Sequence, residues 1–218
     1  MRCRFCNSEL HQSFVDLGLS PLCESYIAPA ELARPEIFYP LHPLVCQECW
    51  LVQLDAFVAP SEIFTDYAYF SSYSDSWLEH ARRYVHGAIS RFNLGRNSRV
   101  VEIASNDGYL LQFFLPHGIP VLGVEPAANV AAAASKRGID TDVSFFGAAT
   151  ASRLLQERGA ADLIVGNNVL AHVPDINDFV SGLKILLSAN GVVTMEFPHL
   201  LQLMHLNQFD TIYHEHFS

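Results

Sequence analysis

The chain has 218 residues, of which 50% are hydrophobic and 17% are charged, so it can bury the core of one large domain or of one domain and a small module. Its formal net charge of −10 excludes the basic surface that a nucleic-acid-binding protein needs. No run of about 18 consecutive apolar residues is present, which excludes a membrane-spanning helix.

The amino-terminal residues MRCRFCNSEL lack the apolar core of a signal peptide. We therefore expect a cytoplasmic, reducing location and a monomeric protein that acts without a membrane or nucleic-acid partner. In that location the five cysteines are expected to be metal ligands or buried thiols rather than disulfides.

Four cysteines form two C-x-x-C pairs near the amino terminus. This spacing lets two thiolates approach one metal ion from each tight turn, and two such turns complete a closed, structural zinc site. The alternatives are four buried reduced thiols, or a ligand from His11 or His42, while Cys23 is expected to be a structural thiol. Residues 1–60 are therefore predicted to form a zinc-binding lobe that needs its metal to fold. The predicted zinc ligands are Cys3, Cys6, Cys46 and Cys49.

Residues 61–95 are predicted to form an aromatic connector and a helix. Aromatic residues and serines alternate in YAYFSSYS, and an amphipathic pattern over roughly Ser76 to Phe92 follows. Aromatic side chains usually pack in a core, but each buried hydroxyl then needs a partner. The alternative is a pocket wall whose rings face a cation and whose hydroxyls reach a polar substrate. The candidate residues for that wall are Tyr67, Tyr69 and Tyr73.

The apolar run from Val100 to Ile103 predicts a buried parallel strand, and the small residues 104–108 predict a tight turn. A helix is expected to begin directly afterwards, at Tyr109. A second predicted strand ends at Glu125, 23 positions after Glu102. This spacing is near that at which an acid meets the ribose hydroxyls in dinucleotide-binding folds. An ordinary βαβ unit with an acid at a strand end is the alternative.

The turn lacks the G-x-G-x-x-G pattern of a pyrophosphate-binding loop, and it contains no Lys or Arg. Its order E-x-A-x-N-x-G instead resembles the E-x-G-x-G-x-G motif of class I S-adenosylmethionine methyltransferases. That resemblance implies S-adenosylmethionine, which has a ribose, a positive sulfonium and no phosphate. The cofactor contacts that it implies are Glu102, Ala104, Ser105, Asn106, Gly108, Glu125, Pro126 and Asn167.

Alternating helix and strand patterns predict an α/β doubly wound sheet for residues 96–218. Helices are expected over 127–137, 147–157 and 176–187, and further strands over 139–146, 162–167 and 192–197. Asn167 and Asn168 end a predicted strand, where they line the cofactor crevice or, alternatively, cap a helix. Phe145 or Phe146 is expected to border the adenine or to pack in the core.

The last residues place a phenol, two imidazoles and a carboxylate in four consecutive positions. Such groups cover the pKa range needed to move protons near neutral pH, and a purely structural cluster is the alternative. The spacing H-E-H is not the one-face helical spacing of a zinc protease site. The residues are Tyr213, His214, Glu215 and His216.

Taken together, the motifs resemble those of S-adenosylmethionine-dependent sugar C-methyltransferases that act on nucleotide-linked 4-keto-6-deoxysugars, often in antibiotic pathways. They are the two C-x-x-C pairs, YAYFSSYS, EIASNDGYLL, VLGVEP, NNVLAHV, MEFPHLL and FDTIYHEHFS, which span essentially the whole chain. The resemblance implies that a base removes the C3 proton and that the resulting enolate attacks the sulfonium methyl. It implies His216 as that base, with Tyr213, His214 and Glu215 around it, and sugar contacts from Asn168, His172 and the connector tyrosines.

Enzymes of this family usually have a further α/β lobe after the YHEHFS stretch. We therefore expect this chain to bind cofactor better than it turns over substrate. Three alternatives remain: an RNA methyltransferase with a four-cysteine module, a small-molecule O- or N-methyltransferase, and a non-catalytic zinc scaffold. The net charge disfavours the first, and cofactor binding distinguishes the last from an enzyme.

Overall fold

The computed structural model describes residues 1–23, 25–59, 64 and 67–218. Contacts divide the chain into two compact units: residues 1–63, 170–176 and 197–218 form the first, and residues 64–169 and 177–196 form the second. The predicted boundaries at 60 and 95 do not include the two later segments in the first unit. These segments join it through backbone hydrogen bonds, in which Leu54 N–H donates to Phe217 O (3.0 Å) and Phe217 N–H donates to Ala171 O (2.7 Å).

The first unit consists mainly of turns and very short strands. Strands β1 (Gln12–Ser13), β4 (Leu44–Val45) and β5 (Val52–Gln53) form an antiparallel sheet in the order β1-β4-β5, and β2 (Leu19–Ser20) pairs with β3 (Tyr39–Pro40). Its small core surrounds two of the predicted metal ligands: Cys3, Leu10 and Cys46 are buried. A core this small is too limited to fold without an additional constraint.

The second unit contains a parallel sheet of five strands in the order β10-β9-β6-β7-β8. Its strands are β6 (Val100–Ile103), β7 (Val121–Val124), β8 (Thr141–Asp142), β9 (Ala161–Asn167) and β10 (Leu187–Glu196). All four residues of β6 are buried, as expected for a central strand covered on both faces. The strand order reverses beside β6, and a crevice for a ligand forms at the carboxyl ends of the strands at such a point.

Four helices belong largely to the second unit, and their ends follow local sequence signals. Helix α1 (Asp75–Arg91) is capped by Ser74, whose hydroxyl accepts a hydrogen bond from Trp77 N–H (3.3 Å). Helices α2 (Ala128–Lys136), α3 (Ala148–Arg158) and α4 (Ile176–Leu186) match the predicted helices within two residues, and the last strand begins earlier than predicted. In the described ranges, no helix has the length and hydropathy needed to span a membrane.

The prediction that a helix begins at Tyr109 is wrong. Residues after Gly108 form two short 3₁₀ turns, Leu111–Phe113 and Leu115–His117. Pro116 cannot donate a backbone hydrogen bond, and Gly118 takes a left-handed conformation (φ 65°) that ends the second turn. The edge strand predicted over 139–146 is also shorter than expected, because only β8 pairs with β7.

Candidate functional site

The turn after β6 takes up a left-handed conformation at every second residue. Ala104, Asn106 and Gly108 have φ values of 56°, 50° and 76°. These are the three positions at which the E-x-G-x-G-x-G motif has glycine, so the motif reflects a backbone that favours glycine at each of them. Ala104 and Asn106 adopt the same conformation with side chains, and asparagine tolerates it better than most residues do. Ser105, between them, is buried with its hydroxyl against Gly123 of β7.

Glu125 fastens the end of β7 to this turn. It is 5% exposed, and its two carboxylate oxygens accept hydrogen bonds from Asn106 N–H and Ala127 N–H, both at 2.9 Å. Burial raises the pKa of Glu125, and the two backbone N–H groups oppose that rise. Pro126 follows it, half-buried, before α2. The predicted ribose acid therefore lies beside the predicted cofactor turn.

Glu102 is a second buried acid, inside β6. Burial raises its pKa well above the ordinary value, the Tyr109 phenol opposes that rise, and the Glu125 and Asp107 carboxylates add to it. Both of its carboxylate oxygens are fully buried, and among the described residues neither has a hydrogen-bond partner of normal geometry. A buried acid of this kind is expected to meet a donor or a cation when a ligand binds.

One base does reach the turn, which the sequence pattern did not indicate. Arg137, one residue after α2, makes an ion pair of 2.9 Å with the buried Asp107 carboxylate and also donates to the Asp107 carbonyl oxygen. Because Asp107 pairs with this guanidinium, the turn gains no uncompensated positive charge. The site still favours a cationic ligand over a phosphate.

The two predicted asparagines at the carboxyl end of β9 make different contacts. Asn167 Nδ2 donates to the Tyr109 hydroxyl (3.4 Å). Asn168 is exposed and left-handed (φ 51°), and its N–H donates to Glu196 O (2.7 Å) at the end of β10.

The two phenylalanines that were predicted to border the adenine or to pack in the core differ in exposure. Phe146 packs edge-on against Phe179, with ring centroids 5.4 Å apart, whereas Phe145 is 48% exposed. Phe145 is therefore the more exposed of the two rings.

The predicted tyrosines lie in the strap, which we define as residues 67–73 of the second unit. Tyr69 and Tyr73 are 48% and 94% exposed, and Tyr67 is half-buried. Core packing, the alternative for these rings, does not apply to Tyr73. The exposed rings remain available to a ligand.

In the first unit, His172, Tyr213 and His216 form an aromatic cluster. The His216 ring lies 4.0 Å from that of Tyr213 and 4.7 Å from that of His172. His216 Nδ1 lies 2.8 Å from Thr211 O, and a carbonyl only accepts, so Nδ1 carries the proton and Nε2 is the basic nitrogen. Burial lowers the pKa of His216, although the Thr211 carbonyl opposes this. His216 is therefore a neutral base at pH 7.

His214 and Glu215 lie in different surroundings. His214 is 3% exposed, Nε2 donates to Pro40 O (3.1 Å), and its ring packs between Tyr39 and Phe57. Glu215 is also 3% exposed, and its Oε1 accepts from the Cys23 thiol (3.0 Å). The contacts of His214 therefore stabilise the lobe.

A cavity of about 430 Å³ lies within the first unit. Its walls are mostly apolar, and Leu200 and Leu203 of helix α5 (Leu200–Leu206) are among them. His216 is one of the few polar groups that line it. The apolar side chains on this side of the imidazole contribute to the burial that lowers its pKa.

His172 gives a prediction about stability and pH. Burial lowers the pKa of His172 from 6.5 to about 4. The nearby His216 ring adds to this decrease, and the hydrogen bond to the Glu215 carbonyl opposes it. The unfolded chain therefore binds a proton between these pH values that the folded chain does not bind. The neutral His172 therefore makes its full contribution to the free energy of unfolding above pH 6.5. As the pH falls from 6.5 to 4, the free energy of unfolding decreases by about 3 kcal/mol. We expect His172→Gln to flatten this decline in urea unfolding, and the same change at exposed His11 to leave it as in the wild type. Equal declines in all three proteins would contradict this.

The four predicted zinc ligands come together. Cys3 Sγ lies 3.6 Å from Cys49 Sγ, Cys6 Sγ lies 3.5 Å from Cys46 Sγ, and all four sulfurs lie within 4.8 Å of one another. A tetrahedral zinc with four thiolates places its sulfurs about 3.8 Å apart, so the cluster fits the ion. Four protein ligands leave no open position, and the zinc is structural.

Two residues connect Cys3 to the chain segments on either side of residues 174 and 217 in the first unit. Gln53 Nε2 donates to Cys3 Sγ (3.2 Å), and its Oε1 accepts from Arg4 N–H (2.9 Å). The Arg4 guanidinium donates to Leu54 O (2.5 Å) and Pro174 O (2.8 Å) and lies 5.4 Å from the centre of the Phe217 ring. Sequence reasoning missed both residues, because an arginine between two cysteines has the composition of a surface turn.

Two family models match the chain. The family described as "Putative zinc binding domain" matches residues 3–64, and the family described as "Methyltransferase domain" matches residues 77–218. The chain is 36% identical over 216 residues to a C-methyltransferase, NovU, of Streptomyces niveus, covering 99% of this chain and 51% of that protein. The chain thus spans about half the length of this curated relative.

Solved structures resemble the fold at low identity. The PH0226 protein of Pyrococcus horikoshii is 16% identical, with a TM-score of 0.51 over 69% of this chain and 66% of that one. A SAM-dependent methyltransferase from Archaeoglobus fulgidus is 17% identical, with a TM-score of 0.48 over 63% of this chain and 62% of that one.

The buried acids and the left-handed turn fit a ligand with a ribose and a positive charge. Glu125 is a buried acid that accepts a hydrogen bond from the turn, and the buried Glu102 carboxylate lies close enough to interact with it electrostatically. Together with the parallel sheet and the family match, they identify the class I methyltransferase fold and its cofactor, S-adenosylmethionine. The chain belongs to the methyltransferase-domain family and carries a zinc-binding module at its amino terminus.

Proposed function

We propose that the protein is an S-adenosylmethionine-dependent C-methyltransferase that methylates C3 of a 4-keto-6-deoxysugar linked to a nucleotide, with dTDP as the carrier. Support comes from the C-methyltransferase that is 36% identical over almost the whole chain. The sugar class and the C3 position are those of the family that the motifs described above resemble, and dTDP is the carrier that we propose for it.

Methylation at carbon requires a carbon nucleophile. A ketone at C4 acidifies the neighbouring C–H bonds, because the electron pair left behind is delocalised onto the ketone oxygen as an enolate. The cofactor supplies an electrophilic methyl group on a positively charged sulfur. The protein must therefore provide a neutral base for the proton and polar groups for the enolate oxygen.

The observation that carries the proposal is the state of His216. Its Nδ1–H is anchored on Thr211 O at 2.8 Å, and burial lowers its pKa. The imidazole is thus unprotonated at neutral pH and has its basic nitrogen, Nε2, in a defined tautomer. These are the properties that a general base for C–H deprotonation needs.

The other candidate residues take supporting roles in this proposal. Tyr213, whose ring lies 4.0 Å from that of His216, orients the base and donates to the enolate oxygen. Glu215 orients the segment that carries His216. The sugar is contacted by His172, Asn168 and the strap tyrosines. Glu125 holds the ribose of the cofactor, with Glu102 beside it.

The test uses dTDP-4-keto-6-deoxyglucose and methyl-labelled S-adenosylmethionine. We expect the label in a methyl group on a quaternary carbon next to the ketone, which carbon NMR identifies as C3. A methyl at C5 would retain the enolate chemistry and correct the position. A methyl on oxygen or nitrogen, or transfer only to RNA, would overturn the proposal.

A further inference from the structure

Two asparagine side chains hold the backbone of the strap. Asn129 Oδ1 accepts from Tyr67 N–H (3.2 Å), and its Nδ2 donates to Tyr67 O (2.8 Å). Asn106 Oδ1 accepts from Ser71 N–H (2.9 Å), and its Nδ2 donates to Tyr69 O (3.0 Å). Each amide thus binds one N–H and one C=O of the strap, as a neighbouring β-strand would.

A third attachment is charged. The Ser72 hydroxyl donates to the Asp107 carboxylate and accepts from Arg137 Nη2 (2.7 Å). Asp107 is fully buried and pairs with the same guanidinium at 2.9 Å. Hydrogen bonds that involve an ionised partner are stronger than neutral ones, so this attachment fixes the end of the strap nearest α1.

The holding residues all come from the cofactor crevice. Asn106 and Asp107 belong to the turn after β6, Asn129 is the second residue of α2 after β7, and Arg137 follows α2. Asn106, Asp107 and Asn129 thus follow the carboxyl ends of two adjacent parallel strands, and the Arg137 side chain reaches Asp107 from the far end of α2. Asn106 also occupies a position where the generic motif has glycine, and a glycine there could not make these bonds. The strap is therefore tied to the elements that shape the cofactor site.

The attachments use backbone groups and the Ser72 hydroxyl, and they leave the rings of the strap outward. Tyr69 is 48% exposed and Tyr73 is 94% exposed, although two backbone groups and one hydroxyl of residues 69–72 are held. Exposed aromatic rings on a fixed backbone lose little conformational freedom when a ligand binds. We propose that Asn106 and Asn129 are positioning residues that hold the strap so that its tyrosines meet the substrate. This inference rests on the proposed function, because that function assigns the tyrosines to the sugar.

The first test is Asn129→Ala, with Lys136→Ala as its control. Lys136 is exposed on the same helix and has no part in holding the strap. In Asn129→Ala we expect amide exchange at Tyr67, followed by NMR, to accelerate about tenfold. We expect KM for dTDP-4-keto-6-deoxyglucose to rise about tenfold, while kcat and the Kd of S-adenosylhomocysteine stay within about twofold of wild type. Lys136→Ala should behave as wild type in every measurement.

The second test is Asn106→Gly, which removes the amide and retains a residue suited to φ of 50°. We expect faster exchange at the Ser71 amide, which Asn106 holds, and unchanged exchange at the Tyr67 amide, which Asn129 holds. An alanine at this position would confound the loss of the amide with backbone strain.

The outcomes separate the two proposals. The positioning role is overturned if amide exchange at Tyr67 is unchanged in Asn129→Ala. It is also overturned if the KM of Asn129→Ala is no higher than that of Lys136→Ala. A uniform loss of kcat and cofactor affinity in Asn129→Ala would also overturn it, because it would indicate damage to the fold. If the wild type does not methylate the sugar, the proposed function fails, and faster exchange alone then supports only the attachment of the strap.

Discussion

Replacing His216 with asparagine is expected to reduce turnover about 100- to 10,000-fold while the fold and cofactor affinity remain. Asparagine is a suitable replacement because its amide nitrogen can donate to Thr211 O, as His216 Nδ1 does, while nothing replaces Nε2. The measurement is exchange of the sugar C3 hydrogen for deuterium in D₂O, followed by proton NMR, because it detects deprotonation without methyl transfer.

His214→Asn is the matched control for that experiment. His214 lies two residues earlier, donates to Pro40 O and packs between two aromatic rings. We expect its replacement to lower stability and to leave deuterium exchange per folded molecule near that of wild type. If His216→Asn still exchanges the C3 hydrogen at the wild-type rate, another group is the base.

Removal of zinc is expected to unfold the first unit. Metal binding in small zinc modules contributes about 10–16 kcal/mol, and the core around Cys3, Leu10 and Cys46 is too small to replace that. In Cys46→Ser, which loses a fully buried ligand, we expect hydrogen exchange to accelerate at the Leu54 and Phe217 amides. Loss of these bonds is expected to abolish turnover, because the same segment holds His216.

Metal content and a second set of amides provide the controls for Cys46→Ser. Cys23→Ser removes the one cysteine outside the cluster and is expected to retain one equivalent of zinc by mass spectrometry. The amides of β6 and β7, in the second unit, should stay protected in both variants. Slow exchange at Leu54 in a zinc-free protein would show that the lobe does not depend on its metal.

Local signals predicted most of the second unit. β-Branched runs marked the sheet strands, and Ser74, Gly138 and Gly159 lie at or just beyond helix ends. The helix after Gly108 was mispredicted because its apolar residues have helical spacing, whereas Pro116 limits the segment to short 3₁₀ turns. Periodicity alone gave too much weight to the apolar pattern.

The chain segments that make up the first unit could not be predicted in the same way. Its parts meet through single backbone bonds such as Leu54 to Phe217, which leave no periodic pattern in the sequence. The four-cysteine cluster was predictable because the C-x-x-C spacing is itself the signal. Arg4 and Gln53 were missed, since their role depends on a partner far away in the sequence.

The candidate site was predictable by residue type and less so by orientation. Glu125 and the turn were identified from spacing, and the structure brings them together. The sequence did not indicate that the Asn106 amide faces the strap, or that Arg137 pairs with Asp107. Such orientations depend on long-range contacts, which no local propensity encodes.

The divided sequence of the first unit affects how the chain reaches its native state. The hydrogen bond from Arg4 to Pro174 closes a loop of 170 residues, and the entire parallel sheet except β10 lies within that loop. Closing so long a loop costs more entropy than the short βα connections of the sheet, which can form early. During synthesis, Arg4 and Leu54 therefore leave the ribosome before the sheet does, but they obtain their partners Pro174 and Phe217 only after β9 has been made.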